Sequence, residues 1–231
     1  MSSRFEELRT NLAEVEQRIA AACTDAGRDR SGVTLIVVTK TYPASDVDLL
    51  VELGVTDVGE NRHPEGGRKL EALAGPRPRM HFIGGLQTNK AAAVAGYADV
   101  VQSVDRSKLV EALSRGARET DREVGCLVQV DFGDAPGRSG VSPADVRSLA
   151  DAIAAASGLR LDGVMTVAPL GVDPAPVFDE LRRVAERMQR DHPAATVISA
   201  GMSDDFERAV TAGATHLRVG RSVLGERVSL R

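Results

Sequence analysis

Apolar residues recur at two different spacings along this chain of 231 residues. Over residues 4–26 they repeat every three or four positions, from Phe5 through Leu12 to Ala22, and Gly27 follows, which predicts one amphipathic helix. Beyond that helix, short apolar runs alternate with segments of helical periodicity. The eight runs cover residues 33–39, 55–59, 80–84, 98–104, 126–132, 161–167, 196–200 and 215–220.

Several of these runs are apolar without strict alternation, which is typical of parallel strands covered on both faces. Eight strand–helix units in a chain close to the ~250 residues usual for the fold predict an α/β protein, a (β/α)8 TIM barrel with an extra N-terminal helix. We expect a single domain over residues 1–231. A doubly wound open sheet is the alternative, but no G-x-G-x-x-G turn follows the first run.

Little chain follows the eighth run, so we expect the N-terminal helix to cover surface that a full eighth helix would otherwise cover. Lys and Arg total 29 against 33 Asp and Glu, and no block of like charge suggests a nucleic-acid or membrane surface. Two cysteines, Cys23 and Cys126, fit a reducing compartment, and the charged N-terminus lacks a signal-peptide core. These features predict a cytoplasmic protein.

The first apolar run ends on a lysine, in "LIVVTKTYP". Working residues of such a barrel lie at the carboxyl ends of its strands, where Lys40 would stand. The ordinary interpretation is a lysine whose stem packs on the strand while its ammonium reaches water. The alternative is an amine held in place to form a covalent bond.

The loops after the seventh and eighth runs hold the residue types of a phosphate site. Ser199 and Ser203 precede one helix, while Gly220 and Arg221 open another. Barrels usually bind phosphate at these two loops, with the help of a helix N-terminus. Plain capping of the first turn by Ser203 or Asp204 is the competing interpretation.

Arg218 lies within the last, otherwise apolar run. Arginine stays protonated, so inside a barrel it needs an acceptor. That acceptor could be a neighbouring carboxylate, such as Glu60 or Asp131, or the ring nitrogen of a bound heterocycle. A lysine, a phosphate site and an arginine around one mouth together suggest pyridoxal 5'-phosphate, PLP. The four histidines have no metal spacing.

With these residues in view, the chain resembles the family of pyridoxal phosphate homeostasis proteins, single-domain relatives of the alanine racemase barrel. The likeness covers nearly the whole sequence. It is carried by "VTKTYP", "VGENR", "MHFIGGLQTNK", "GVMTV", "ISAGMSDDFERAVTAGATHLRVG" and "SVLG". Three departures stand out: Arg62-His63-Pro64 replaces an aromatic and aliphatic pair, Gly85 a common proline, and Arg221 a frequent threonine.

The resemblance implies that the cofactor is held by eight residues. Lys40 would carry it as an internal aldimine, and Arg218 would face the pyridine nitrogen. The phosphate would contact Ser199, Ser203, Gly220 and the backbone near Arg221, while Asn61 and Met202 would line the ring. The family is regarded as a cytosolic binder and handler of PLP without an established catalytic reaction.

The residues bear on the choice between a carrier and an enzyme. A protonated Arg218 keeps the ring nitrogen unprotonated, which weakens the ring as an electron sink. Neither Tyr42 nor Tyr97 is an obvious second base for a racemase. We therefore expect a non-enzymatic PLP carrier, monomeric or weakly dimeric, that serves PLP-dependent apo-enzymes. A low-activity amino-acid racemase is the alternative, and a Schiff-base aldolase using Lys40 is a third possibility.

Overall fold

The chain folds as a closed barrel of eight parallel strands in sequential order. The computed structural model describes residues 3–133, 139–169 and 171–225. The strands are β1 Thr34–Val38, β2 Asp57–Glu60, β3 Arg79–Phe82, β4 Val100–Val104, β5 Val124–Gln129, β6 Leu159–Met165, β7 Val197–Ser199 and β8 His216–Val219. The predicted barrel is confirmed, and each strand overlaps one of the eight apolar runs.

Helices surround the barrel. They are α1 Ser3–Asp25, α2 Ala44–Glu52, α3 Glu65–Glu71, α4 Thr88–Ala95, α5 Ser107–Glu119, α6 Val146–Ala155, α7 Ala175–Gln189, α8 Phe206–Thr211 and α9 Arg221–Leu224. The apolar spacing predicts α1 to within a residue at each end. The short helices α3 and α4 carry two adjacent glycines and an alanine run respectively, so neither shows a strong apolar stripe.

The N-terminal helix α1 packs against α8 and the four-residue α9. Asn11 donates to the carbonyl of Val223 at 3.0 Å, and Arg18 forms an ion pair with Glu207 of α8. Leu8, Val15 and Ile19 of α1 are fully or almost fully buried. The helix therefore covers the surface beside the short last helix, as its position in the sequence predicts.

Alternation along the strands divides the buried residues into two layers. Leu35 and Val37 of β1 belong to the large apolar cluster between barrel and helices. A side chain at Gly59 of β2 would meet Ile36 and Val38, so these positions face the barrel interior. Continuing the alternation past the end of β1 places Lys40 on the interior side.

None of the described helices is both long enough and apolar enough to span a membrane. Within the described ranges, no group of three His, Cys, Asp or Glu side chains is arranged to hold a metal ion.

Candidate functional site

Lys40 stands in a tight turn at the carboxyl end of β1. The amide of Tyr42 donates to the carbonyl of Thr39 at 3.0 Å, which closes a four-residue turn. Thr41 takes φ of 72°, a conformation that a turn of this type needs at its third residue. A β-branched residue such as threonine adopts this conformation only when its surroundings impose it, because the conformation costs about 1–3 kcal/mol of conformational free energy. The turn that presents Lys40, itself half-buried, is thus held by its neighbours.

A buried ion pair from α3 and β2 supports this turn. Lys69 pairs with Glu60, and its ammonium also donates to the carbonyl of Thr39 at 2.7 Å. The Thr39 hydroxyl donates to the same Glu60 oxygen at 2.7 Å. On the outside, Glu65 accepts the amide of Thr41 at 3.2 Å. Lys69, Glu60 and Thr39 are all buried, so these contacts fix the position of the turn that carries Lys40.

The barrel closes beside Lys40 on the strand that carries Arg218. Val37 of β1 pairs with Val219 of β8, which places Gly220 next to the end of β1. A side chain at Gly220 would lie 3.2 Å from the carbonyl oxygen of Val38. The register therefore brings the predicted lysine, arginine and glycine to one sector of the mouth.

Arg218 is buried, with 4% of its surface exposed. It donates to the hydroxyl of Ser199 at 2.6 Å and to the carbonyl of Thr166 at 2.7 Å. Burial lowers the pKa of Arg218 to about 10, so it remains a cation at neutral pH. Among the described residues no carboxylate pairs with it, and Glu60, one of the anticipated partners, pairs with Lys69 instead.

A buried cation without an anionic partner is costly unless something satisfies it. The two hydrogen bonds occupy two of the five N–H groups of the guanidinium. The remaining donors suit a ligand acceptor such as a ring nitrogen.

Ser199 is completely buried, and its hydroxyl is already engaged. It donates to Gln102 Oε1 at 2.7 Å and accepts from Arg218. A serine hydroxyl has one proton, so in this arrangement Ser199 has none left to donate to a phosphate. The phosphate role implied by the resemblance stays a prediction, and the geometry favours an indirect role through Arg218.

The loop after β7 contains the other predicted phosphate residues. Gly201 has φ of 88°, and a side chain there would collide with Phe206 and Ala209 of α8. The amide of Met202 donates to Asp205 Oδ1 at 2.6 Å, while Ser203 is half-buried. The Asp205 carboxylate is thus bound to the backbone of the loop that precedes it.

Arg221 lies across this loop, in an exposed ion pair with Asp204. The positive charge that Arg221 introduces in place of the family's frequent threonine is therefore balanced by Asp204, outside the mouth. Gly220 is the N-cap of α9 and supplies no side-chain hydrogen bond to its first turn.

Asn61 follows β2, the strand that flanks β1 on the side opposite β8. Its backbone carbonyl lies so close to Gly84 that a side chain there would approach within 2.2 Å, so only glycine fits. The Asn61 Oδ1 atom is buried and has no hydrogen-bond partner among the described residues. A buried acceptor of this kind calls for a water or a ligand donor.

The two tyrosines occupy positions that do not suit an opposite-face base. Tyr42 donates its hydroxyl to the carbonyl of Gly225 at 2.8 Å. The Tyr97 hydroxyl is buried, and burial, reinforced by the charge of Glu60, raises its pKa to about 12. Cys126 is fully buried within β5, and burial raises its thiol pKa as well.

Sequence reasoning missed several residues that support the site. They are Glu60 as partner of Lys69, Lys69 itself, Gln102, His81 and Thr166. A polar residue in the middle of an apolar strand was the available signal for Gln102 in "VVQSV" and His81 in "MHFIG". No local pattern indicated which distant residue each one contacts.

The chain is similar to known proteins over nearly its whole length. The model of the family "Alanine racemase, N-terminal domain" matches residues 8–228. A Corynebacterium glutamicum protein named pyridoxal phosphate homeostasis protein is 38% identical over 220 residues, covering 92% of this chain and 99% of its own. A Mycobacterium leprae protein of the same name is 37% identical over 242 residues, covering 96% and 93%.

Among solved structures, PipY of Synechococcus elongatus PCC7942 with PLP bound aligns with a TM-score of 0.82. It is 31% identical, and the alignment covers 94% of this chain and all of PipY.

Proposed function

Since the chain belongs to the family of pyridoxal phosphate homeostasis proteins, we propose that it binds PLP at the carboxyl end of the barrel, through a reversible Schiff base on Lys40. The observation that carries the proposal is Arg218, a buried cation with only neutral partners, on the strand beside Lys40. An amine, an unpaired arginine and a buried free acceptor on Asn61 match an aldehyde-bearing, phosphorylated heterocycle.

Lys40 supplies the amine. When bound, PLP would supply an aldehyde that condenses reversibly with an amine, with loss of water on binding and uptake of water on release; Lys40 Nζ would provide that amine. The half-buried position of Lys40, on a turn fixed by Thr39 and Thr41, keeps the amine both oriented and reachable from solvent.

Each of the remaining predicted residues would contact a different part of the cofactor. Arg218 would donate to the ring nitrogen, and Ser199 holds Arg218 in place by a hydrogen bond. Ser203, Gly220 and the backbone near Arg221 would bind the phosphate, and Asn61 and Met202 would line the ring. In this proposal Ser199 acts through Arg218 and does not contact the phosphate.

The same arrangement favours a carrier. Arg218 donates and cannot protonate the ring nitrogen fully, so carbanion chemistry on the cofactor is weakly supported. The Tyr42 hydroxyl donates to the carbonyl of Gly225, and burial raises the pKa of Tyr97 to about 12, so neither tyrosine suits the role of a second base. The two relatives reported above are named for PLP homeostasis, and we propose the same role here, with apo-enzymes that need PLP as recipients.

The test is an absorption spectrum of the protein with added PLP, before and after borohydride reduction. We expect a visible band that reduction removes in the wild type and that Lys40→Ala lacks. Lys108→Ala is the matched control, because Lys108 is an exposed lysine at the start of α5. A wild type that stays colourless with PLP, or a Lys40→Ala variant with an unchanged reducible band, would overturn the proposal.

The racemase alternative is separated by a second measurement. Exchange of the α-hydrogen of alanine with deuterated solvent, followed by NMR, should remain at the rate of free PLP for a carrier. Exchange that depends on Lys40 and exceeds that of free PLP would assign the protein a catalytic function.

A further inference from the structure

A chain of polar side chains crosses the barrel interior and ends at Arg218. Beyond the link from Arg218 to Ser199, Ser199 Oγ lies 2.7 Å from Gln102 Oε1. Gln102 Nε2 lies 3.0 Å from His81 Nδ1, and His81 Nε2 lies 2.9 Å from Asp57 Oδ1. None of the five residues is more than 9% exposed.

This hydrogen-bonded chain of five side chains runs through the middle of the barrel. Its members belong to β8, β7, β4, β3 and β2. Strands β4 and β7 are not neighbours, so the bond between Gln102 and Ser199 spans the interior. The chain thus links the carboxyl-end mouth, where Arg218 stands, to Asp57 at the start of β2.

Each hydrogen bond in the chain has a forced direction. Arg218 can only donate, so the Ser199 hydroxyl accepts from it and gives its own proton to Gln102 Oε1. The amide nitrogen of Gln102 can only donate, so His81 Nδ1 accepts. His81 therefore carries its proton on Nε2 and donates it to Asp57.

All donors point from the cation toward the carboxylate, and hydrogen bonds aligned in this way polarise one another. Arg218 is thus connected to an anion on the far side of the barrel through neutral groups. The network compensates its charge through neutral groups, and the charge of Asp205, in the loop after β7, also favours the cation.

We propose that Gln102 and His81 are positioning residues for Arg218: they orient its guanidinium and sustain its charge toward a bound ring without touching that ring. This inference rests on the proposed function, because the ring is that of PLP. It adds two residues, on strands β3 and β4, that act on the site from the opposite half of the barrel.

The middle of this hydrogen-bonded chain opens on a cavity of about 260 Å³ at the amino-terminal side of the barrel. Gln102 and His81 line it, together with His216, Arg79 and Leu127. Water can enter such a polar cavity, so a shortened or apolar side chain at position 102 need not prevent folding.

The decisive variant is Gln102→Leu, of similar size but unable to link Ser199 to His81. We expect PLP to bind about tenfold or more weakly, the effect of losing support for a charge-assisted hydrogen bond. The absorption of bound PLP should also change its pH dependence, while borohydride still fixes PLP on Lys40. Wild-type affinity and an unchanged pH dependence would overturn the proposal.

Leu127→Ala is the matched control, because it removes an apolar side chain from the same cavity and breaks no link of the chain. It should lower the melting temperature yet leave PLP affinity and spectrum near those of the wild type. If it changes the spectrum as much as Gln102→Leu does, general disturbance of the barrel explains both and the positioning role fails.

A second readout needs no cofactor. Imidazole 15N NMR of the apo protein, with His81 assigned by its absence in His81→Gln, should show the Nε2–H tautomer. An Nδ1–H tautomer or a charged ring at neutral pH would contradict the direction of the chain. Failure of the wild type itself to bind PLP would instead reject the proposed function and leave this tautomer result standing.

Discussion

The two sides of the barrel mouth hold their buried cations in different ways. On the Lys40 side, Lys69 lies directly against the carboxylate of Glu60, between barrel and helices. On the other side, Arg218 is separated from Asp57 by three neutral side chains in the barrel interior. One cation is neutralised on contact, and the other keeps its charge facing the mouth.

This difference separates a cation with a structural role, Lys69, from the one that we propose to serve a ligand, Arg218. A buried pair that is complete in itself fixes backbone, and Lys69 does so by also binding the carbonyl of Thr39. A cation whose anion is remote remains available to an acceptor that arrives later. Lys40, which is half-buried, depends on the Lys69–Glu60 pair for the position of its turn.

The largest expected effect comes from breaking the contact pair. Lys69→Met leaves Glu60 buried without a cation, which typically costs about 3–5 kcal/mol of unfolding free energy. Urea denaturation of the apo protein measures it. We also expect weaker PLP capture, since the Thr39 carbonyl loses its donor.

Removing both charges provides the control. The double variant Lys69→Met, Glu60→Gln carries no unpaired ion, so it should recover much of the lost stability. Equal destabilisation in the single and double variants would show that Lys69 contributes through packing, and the contrast between the two sides would lose its electrostatic basis.

The interior side should show the stronger dependence on pH. Burial lowers the pKa of His216, on β8, to about 4, below its ordinary value of 6.5. The charge of Arg79 opposes its proton, whereas the charges of Asp57 and Asp162 favour it. The folded protein therefore keeps His216 neutral while the unfolded chain takes up a proton.

The sign follows from that difference in proton uptake. The contribution of His216 to stability is complete above about pH 6.5 and is lost as the pH falls toward 4, by up to about 3 kcal/mol. Urea titrations at pH 7.5 and 5 should show a smaller decrease in His216→Asn than in the wild type. Parallel losses in the two proteins would show that other groups dominate.

The smallest effect is expected at the exposed ion pair. Arg221 and Asp204 are 64% and 81% exposed in their side chains, and such pairs contribute about 0–1 kcal/mol. Arg221→Thr should change stability by less than about 0.5 kcal/mol and PLP affinity by less than about threefold. A large loss of affinity would assign the guanidinium itself to the phosphate.

Much of this fold could be predicted from the sequence, since periodicity is local. The helical spacing from Phe5 to Ala22 and the apolar runs reflect which faces each element must bury, and all eight strands follow. The ends of the strands differ from those of the apolar runs by up to three residues, and Gly66, Gly67 and a run of alanines weaken the amphipathic pattern of α3 and α4.

The sequence by itself determined the barrel, the place of Lys40 at a strand end, and the presence of an arginine that needed an acceptor. It could not say which acceptor. Gln102 and Ser199 are 97 residues apart in sequence and meet only because the closed sheet turns both side chains inward. Lys69 reaches the carbonyl of Thr39 only because α3, which carries Lys69, packs beside the end of β1. Contacts of this kind are decided by barrel closure and strand register, which no short stretch of residues encodes.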